Sequence, residues 1–181
     1  MRYIAFLRAI NVGGHTVRMS RLCELFDSLG LARAETFIAS GNVIFEAPAR
    51  GVAALETRIE RGLEAGLGYA VATFLRTPAQ LAAIVAHEPF GAAAVGAAHT
   101  VSVAFLKAEP DAVACRHLLD CRSELDELAV HGREAYWLCH TRTSDSPFTG
   151  ARLEKTLGAP ATIRNLTTVR KLAEKFAEAA P

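Results

Sequence analysis

The sequence predicts an α+β fold of two ferredoxin-like halves, each on the order βαββαβ, the second modified and followed by an extra C-terminal helix. Three observations carry this expectation. Residues 3–7 are apolar on both alternating faces and run into a loop closed by Gly13 and Gly14, from which an amphipathic helix leaves. Two strand-like runs then face each other across a glycine turn, and a helix and a further strand complete the order. The same succession begins again at residue 101.

A strand with no polar face belongs in a sheet covered on both sides. After the glycine loop, Met19, Leu22, Leu25, Phe26 and Leu29 recur at helical spacing, and Gly30 stands where a left-handed C-terminal cap belongs. Residues 35–39 and 43–46 read as strands separated by Ser40, Gly41 and Asn42, which tolerate the positive φ of a tight hairpin. Val52, Leu55, Ile59 and Leu63 mark a helix over 52–65, which Gly66 and Gly68 break before a strand at 69–76.

In that topology the first strand-to-helix loop, the hairpin turn and the loop before the last strand share one end of the sheet. Residues 11–14, 40–42 and 66–68 are therefore expected to meet. Small and amide residues gathered there can aim backbone N–H groups at one spot, as anion-binding nests and helix N-termini do. Taken one at a time, they are ordinary turn chemistry: glycine pairs and asparagines form turns, and no Walker lysine accompanies them.

In the second half, Thr77 and Pro78 start a helix with Leu81, Ile84 and Val85 as its buried stripe, ended by Pro89. Residues 90–99 are Gly- and Ala-rich without periodicity and read as a flexible connection. The halves are placed at 1–76 and 77–181. A strand at 101–106, a helix at 111–119 and a hairpin of 125–131 and 134–139, turning at Gly132 and Arg133, repeat the first half. Ser146 and Pro147 are expected to cap a helix running to Leu157 and Gly158. A short strand at 161–163 stands in for the sixth element. The final helix, with Val169, Leu172 and Phe176 on one face, follows Arg164 and Asn165.

Composition narrows the function classes. At 181 residues, 51% hydrophobic and 22% charged, the chain has the make-up of a globular protein with a core. Twenty basic against nineteen acidic residues leave +1, so no whole-molecule field draws it to nucleic acid or membrane. Sixteen of the twenty basic residues are arginine, which suits bidentate oxyanion recognition but also follows from a GC-rich coding sequence. Cys23, Cys115, Cys121 and Cys139 are scattered, and Arg2 and Arg8 interrupt the first apolar run, so no signal peptide is read there. No window reaches the roughly 18 apolar residues of a membrane span. The expectation is a soluble, cytoplasmic protein.

No catalytic set emerges, and neither a metal nor a cofactor is expected. Cys115, His117 and Cys121 scatter around a helix axis, and Cys139 and His140 point to opposite faces of a strand. His15 reads as a solvated loop histidine, and Asp126-Glu127 and Glu56-Glu60 as exposed charges. Tyr3, Phe6 and Phe45 sit on strands as the stacking aromatics of RNA recognition motifs do, but the charge is neutral and only scraps of that motif remain, so core packing accounts for them better.

Arg8 to Gly14, the Phe37-Ile38-Ala39-Ser40-Gly41-Asn42-Val43-Ile44-Phe45 block and the stretch from Ala161 to Val169 together resemble the bacterial family of proteins of unknown function numbered 1697. The resemblance covers nearly the whole length. It implies two ferredoxin-like halves and no agreed activity. The family usually carries Gly at Ala9, Gln at Ala39, Lys at Pro147, and Thr-Arg-Asn-Trp-Asn-Thr at the stretch ending in Thr168. The missing lysine and tryptophan weaken a phosphate or base-stacking role. Arg8, Asn11, Gly13, Gly14, Ser40, Gly41, Asn42, Ser146, Thr149, Arg164, Asn165 and Thr168 match the pattern and are the ligand-binding candidates.

Together these readings favour binding of a small anionic or phosphorylated, nucleotide-like ligand at the edge formed by 11–14 and 40–42, with Arg8 and Arg164 supplying charge. Asn11, Asn42 and Asn165 both donate and accept, which suits orienting a ligand rather than transforming it. Asn165 is equally placed to cap the last helix. The alternatives are single-stranded RNA binding, an enzyme with a site assembled between the halves, and a homodimeric interaction protein. A monomer or homodimer without a membrane partner is expected.

Overall fold

Apolar residues on both faces of the first strand require a sheet buried on both sides, and the first sheet is so built. The computed structural model describes residues 1–11, 14–38, 41–49 and 51–177. They form two units, Met1–Leu81 joined by the chain end from Phe176, and Ala82–Lys175. The candidates Gly13 and Ser40, and Ala39, lie outside the described residues.

The first unit contains β1 (Arg2–Leu7), α1 (Met19–Ser28), β2 (Ala32–Thr36), β3 (Asn42–Glu46), α2 (Val52–Leu67) and β4 (Thr73–Arg76). Its strands pair antiparallel in the order β2-β3-β1-β4, the ferredoxin-like arrangement. The register sets Tyr3 opposite Phe45 and Ala5 opposite Val43. These residues, Leu7 and Leu75 pack with Leu22, Leu25 and Phe26 of α1 and Leu55, Ile59 and Leu63 of α2. Ile4, Phe6, Ile44 and Phe74 alternate onto the other face and are at most 2% exposed.

Two local expectations change. The second helix runs through Gly66 and closes at Gly68, whose φ of 83° makes the left-handed cap. A side chain at Gly66 would collide with Leu25 of α1, so that glycine permits close helix approach rather than breaking the helix. Glu56 and Glu60 are not exposed charges: Glu56 is 2% exposed and accepts from the Leu75 N–H at 2.9 Å, while Glu60 accepts from the Thr73 N–H at 2.8 Å. The carboxylates of α2 thus occupy donors on the outer edge of β4 that no strand pairs.

Next come α3 (Pro78–Ala86), α4 (Ala92–Ala97), β5 (Thr100–Phe105), α5 (Ala112–Leu119), β6 (Asp126–His131), β7 (Glu134–Cys139), α6 (Gly150–Leu157), β8 (Thr162–Asn165) and α7 (Leu166–Lys175). The division between the units falls inside α3, whose start is a reciprocal capping box between Thr77 and Gln80. Part of the expected flexible connection is the helix α4. The second sheet orders as β6-β7-β5-β8, so β8 supplies the sixth element. Thr149, not Ser146, caps α6, accepting from the Arg152 N–H at 3.1 Å. Phe176 lies past the end of α7 and meets Phe37 edge-on at 5.8 Å between ring centroids.

The sheets repeat one another in register. Ala5-Phe6-Leu7 and Ala104-Phe105-Leu106 hold matching places, with the Leu7 N–H donating to the Gly41 carbonyl at 2.7 Å and the Leu106 N–H to the Arg133 carbonyl at 2.9 Å. Ile4 then faces Arg76 as Val103 faces Arg164. Each of these arginines donates from Nη1 to the carbonyl of the residue before it, Leu75 at 2.7 Å and Ile163 at 2.9 Å. The edge device recurs as well, for Glu154 of α6 accepts from the Ala161 N–H just before β8 at 2.7 Å.

Candidate functional site

Strand pairing in the first unit draws three bends to one end of its sheet. The Leu7 N–H donates to Gly41 at the hairpin turn, and the Arg8 N–H donates at 2.8 Å to the Ala72 carbonyl, just before β4. Tyr69, the residue after Gly68, donates its hydroxyl to the Ile10 carbonyl at 2.8 Å and stacks on His15 with ring centroids 4.1 Å apart. Between the first loop and the hairpin lies a cavity of about 70 Å³ lined by Asn11, Val17, Thr36, Phe37, Gly41 and Asn42 together with Met19 and Leu22 of α1.

The residues of this rim are held by their own turns. Asn42, 2% exposed, donates its amide hydrogens to the carbonyls of Phe37 at 3.1 Å and Ile38 at 3.3 Å. Asn11 is exposed, and its Oδ1 accepts from the Val17 N–H at 2.8 Å. Gly41 has φ of 81°, and a Cβ there would meet Leu7 and Ile10 at 3.0 and 2.9 Å. Gly14, with φ of 84°, faces open space. Arg8 is half-buried at the root of the loop, and the cavity lining does not include it. Ala9 takes φ of 58°, a conformation that costs an alanine and suits the glycine expected there from the resemblance.

The other candidates lie in the second unit and are engaged locally. Ser146 is buried, donates to both carboxylate oxygens of Asp126 at 2.9 and 2.7 Å, and accepts from the Phe148 N–H at 2.9 Å. Thr149 is the helix cap already described. Asn165 caps α7 by accepting from the Thr167 N–H at 2.8 Å, and Thr168 is half-buried in the first turn of that helix. Arg164 donates to Thr162 Oγ1 at 2.8 Å, and burial pushes its guanidinium down to about 10, so it stays charged at neutral pH.

Sequence reasoning missed Asp126. Far from being an exposed charge, it has no exposed surface and accepts from Trp137 Nε1 at 2.7 Å as well as from Ser146. The signal was alternation: Asp126, Leu128 and Val130 share one face of β6, and that face packs on the helices. Cys139, opposite Asp126 in the ladder, has a thiol raised above its usual range, chiefly by burial.

Tyr3, Phe6 and Phe45 are each no more than 2% exposed, so the sheet offers no stacking platform through them. His140 pairs with Glu127 at 3.2 Å. Cys121 donates to the His117 carbonyl at 3.4 Å beside an open depression of about 700 Å³ that Arg152 and Lys155 also line. Among the described residues, no group of three or more His, Cys, Asp or Glu side chains is arranged to hold a metal. Nor is any helix among them long and apolar enough to cross a membrane.

The architecture and one family place the chain among known proteins. A conserved bacterial protein of known structure from Streptococcus pneumoniae is 23% identical over 98% of each chain, with a TM-score of 0.74, a likeness that speaks to the fold alone. No curated protein matches. The family described as "Protein of unknown function (DUF1697)" matches residues 1–136. Because that match spans well over half of the sequence, the chain belongs to the DUF1697 family, for which no activity or ligand is indicated.

Proposed function

We propose that the loop end of the first unit binds the anionic group of a small ligand, a carboxylate or phosphate. The observation that carries this reading is the convergence of the bends at Leu7–Gly41 and Arg8–Ala72 on a cavity lined by Asn11, Thr36 and Asn42. Its size narrows the ligand. At about 70 Å³ the cavity is a little over two waters in volume, each water taking roughly 30 Å³ of liquid. One oxyanion group fits there, and the rest of a nucleotide or sugar would lie outside.

Polar groups arranged this way orient a ligand. Asn11 spends its carbonyl oxygen on the loop, and its amide hydrogens, without an acceptor among the described residues, serve an anion, with half-buried Arg8 at the base of the same loop adding positive charge. Gly41 keeps the backbone bare at the cavity wall.

The test is thermal shift with inorganic phosphate, small carboxylates and nucleotides on wild type and on Asn11→Asp. That substitution keeps the oxygen bonded to Val17 but replaces the donors by negative charge. A selective rise in Tm for wild type that is lost in Asn11→Asp, with the unliganded Tm nearly unchanged, supports the site. Equal shifts in both proteins, or none in wild type, refute it.

A further inference from the structure

The second unit holds a different cavity, of about 280 Å³, over the face of the sheet that carries Val101 and Tyr136. Phe90, Val95, Val101, Tyr136 and Leu166 supply its apolar lining. One wall is α4, whose sequence Ala-Ala-Ala-Val-Gly-Ala is wholly apolar although none of its residues is buried. An apolar helix without a buried residue lacks the contact that normally stabilises it. An occupant of the cavity would provide that contact.

The charged groups at the cavity are few, one cation, Arg170, and one anion, Glu88. Leu166 and Arg170 stand one turn apart on α7 and both line it, so the guanidinium arises beside apolar surface. Among the described residues, the side chains of Arg170 and Glu88 make no hydrogen bond or ion pair. His87 lies flat on His131, with ring centroids 4.2 Å apart, and tilted on Tyr136 at 5.2 Å, forming an aromatic wall. The Tyr136 hydroxyl is already committed to the Ile84 carbonyl at 3.3 Å.

We infer that this cavity is a binding site for a small amphipathic monocarboxylate, an aryl or branched aliphatic acid, with its apolar body against Val95, Val101 and Tyr136 and its carboxylate on Arg170. The size follows from packing: a cavity of about 150 Å³ holds benzene, so 280 Å³ admits roughly a dozen non-hydrogen atoms. The charge follows from the lining. A single guanidinium offers one bidentate fork to a carboxylate, and the nearby Glu88 carboxylate disfavours a dianion such as a phosphate monoester.

The probe is 3-phenylpropionate, with 3-phenylpropanamide as the uncharged match in shape, followed by amide chemical shifts in NMR titration of the full chain. Wild type is expected to show saturable shifts at Gly96 and Val101 but not at Gly41 or Asn42, which separates this site from the loop end of the first unit. The acid should bind about tenfold more tightly than its amide, and Arg170→Gln should remove that preference. Gly96→Leu, at a position where an added Cβ meets nothing within 4 Å, should raise the dissociation constant by occupying space while leaving the fold intact. Absence of saturable shifts in wild type, equal binding of acid and amide, or unchanged binding in both variants would overturn the assignment.

Discussion

Asn42 gives its amide hydrogens to the turn that precedes it, and that commitment shows how a residue chosen for recognition is first a residue of structure. Asn11 differs, because among the described residues its oxygen alone is engaged. Ala9, two residues earlier, sits at φ of 58°, where an L-residue's Cβ crowds the following carbonyl at a cost of about 1–2 kcal/mol. Ala9→Gly relieves this but loosens the unfolded chain, so a net stabilisation of about 0.5–1 kcal/mol is expected. A urea denaturation midpoint that moves up with unchanged slope is the check, and a midpoint that falls would show that the loop tolerates alanine without strain.

At the scale of elements, the second sheet is tied to its loop by Asp126, which takes hydrogen bonds from Trp137 on β7 and Ser146 ahead of α6. Asp126→Ala strands both donors in the interior and should cost about 2–4 kcal/mol, whereas Asp126→Asn keeps an acceptor for the indole and should cost less. Trp137 is the single tryptophan, so its fluorescence during denaturation reads this effect directly. Periodicity revealed the strands and most helices because burial imposes a repeat. It failed at α4, where an all-apolar stretch has no contrast between faces, and at Gly66, whose purpose is the approach of another helix. Glu56, Glu60 and Asp126 depart from the expectation for a related reason: a carboxylate is buried when a distant segment supplies donors, and only the three-dimensional pairing shows which segment does so.

For the whole molecule, partly and fully buried titratable groups set limits on the pH range of full stability. His87 is held below its ordinary 6.5, first by burial and then by His131. Its folded form therefore binds fewer protons than the unfolded chain, and stability present above about pH 6.5 is lost as the pH falls through the lower folded value. Cys23 and Cys139 are raised above their ordinary 9.0, chiefly by burial, so stability present below about pH 9 is lost as the pH rises through their folded values. Urea midpoints measured from pH 5 to 10 should form a plateau between those limits, and replacing His87 by Phe should flatten the acid limb. The sequence showed the ferredoxin-like order and the meeting of the first loop with the hairpin because topology and glycine chemistry suffice for both. The narrowness of the cavity there was hidden, since Met19, Leu22 and Phe37 enter it from elements with their own periodic reasons for being where they are. Glu56 and Glu60 along β4 have a consequence for behaviour in concentrated solution. A stray polypeptide seeking a template for cross-β growth finds those backbone donors already occupied, so fibril extension at that rim is terminated chemically, as an end group stops a growing polymer.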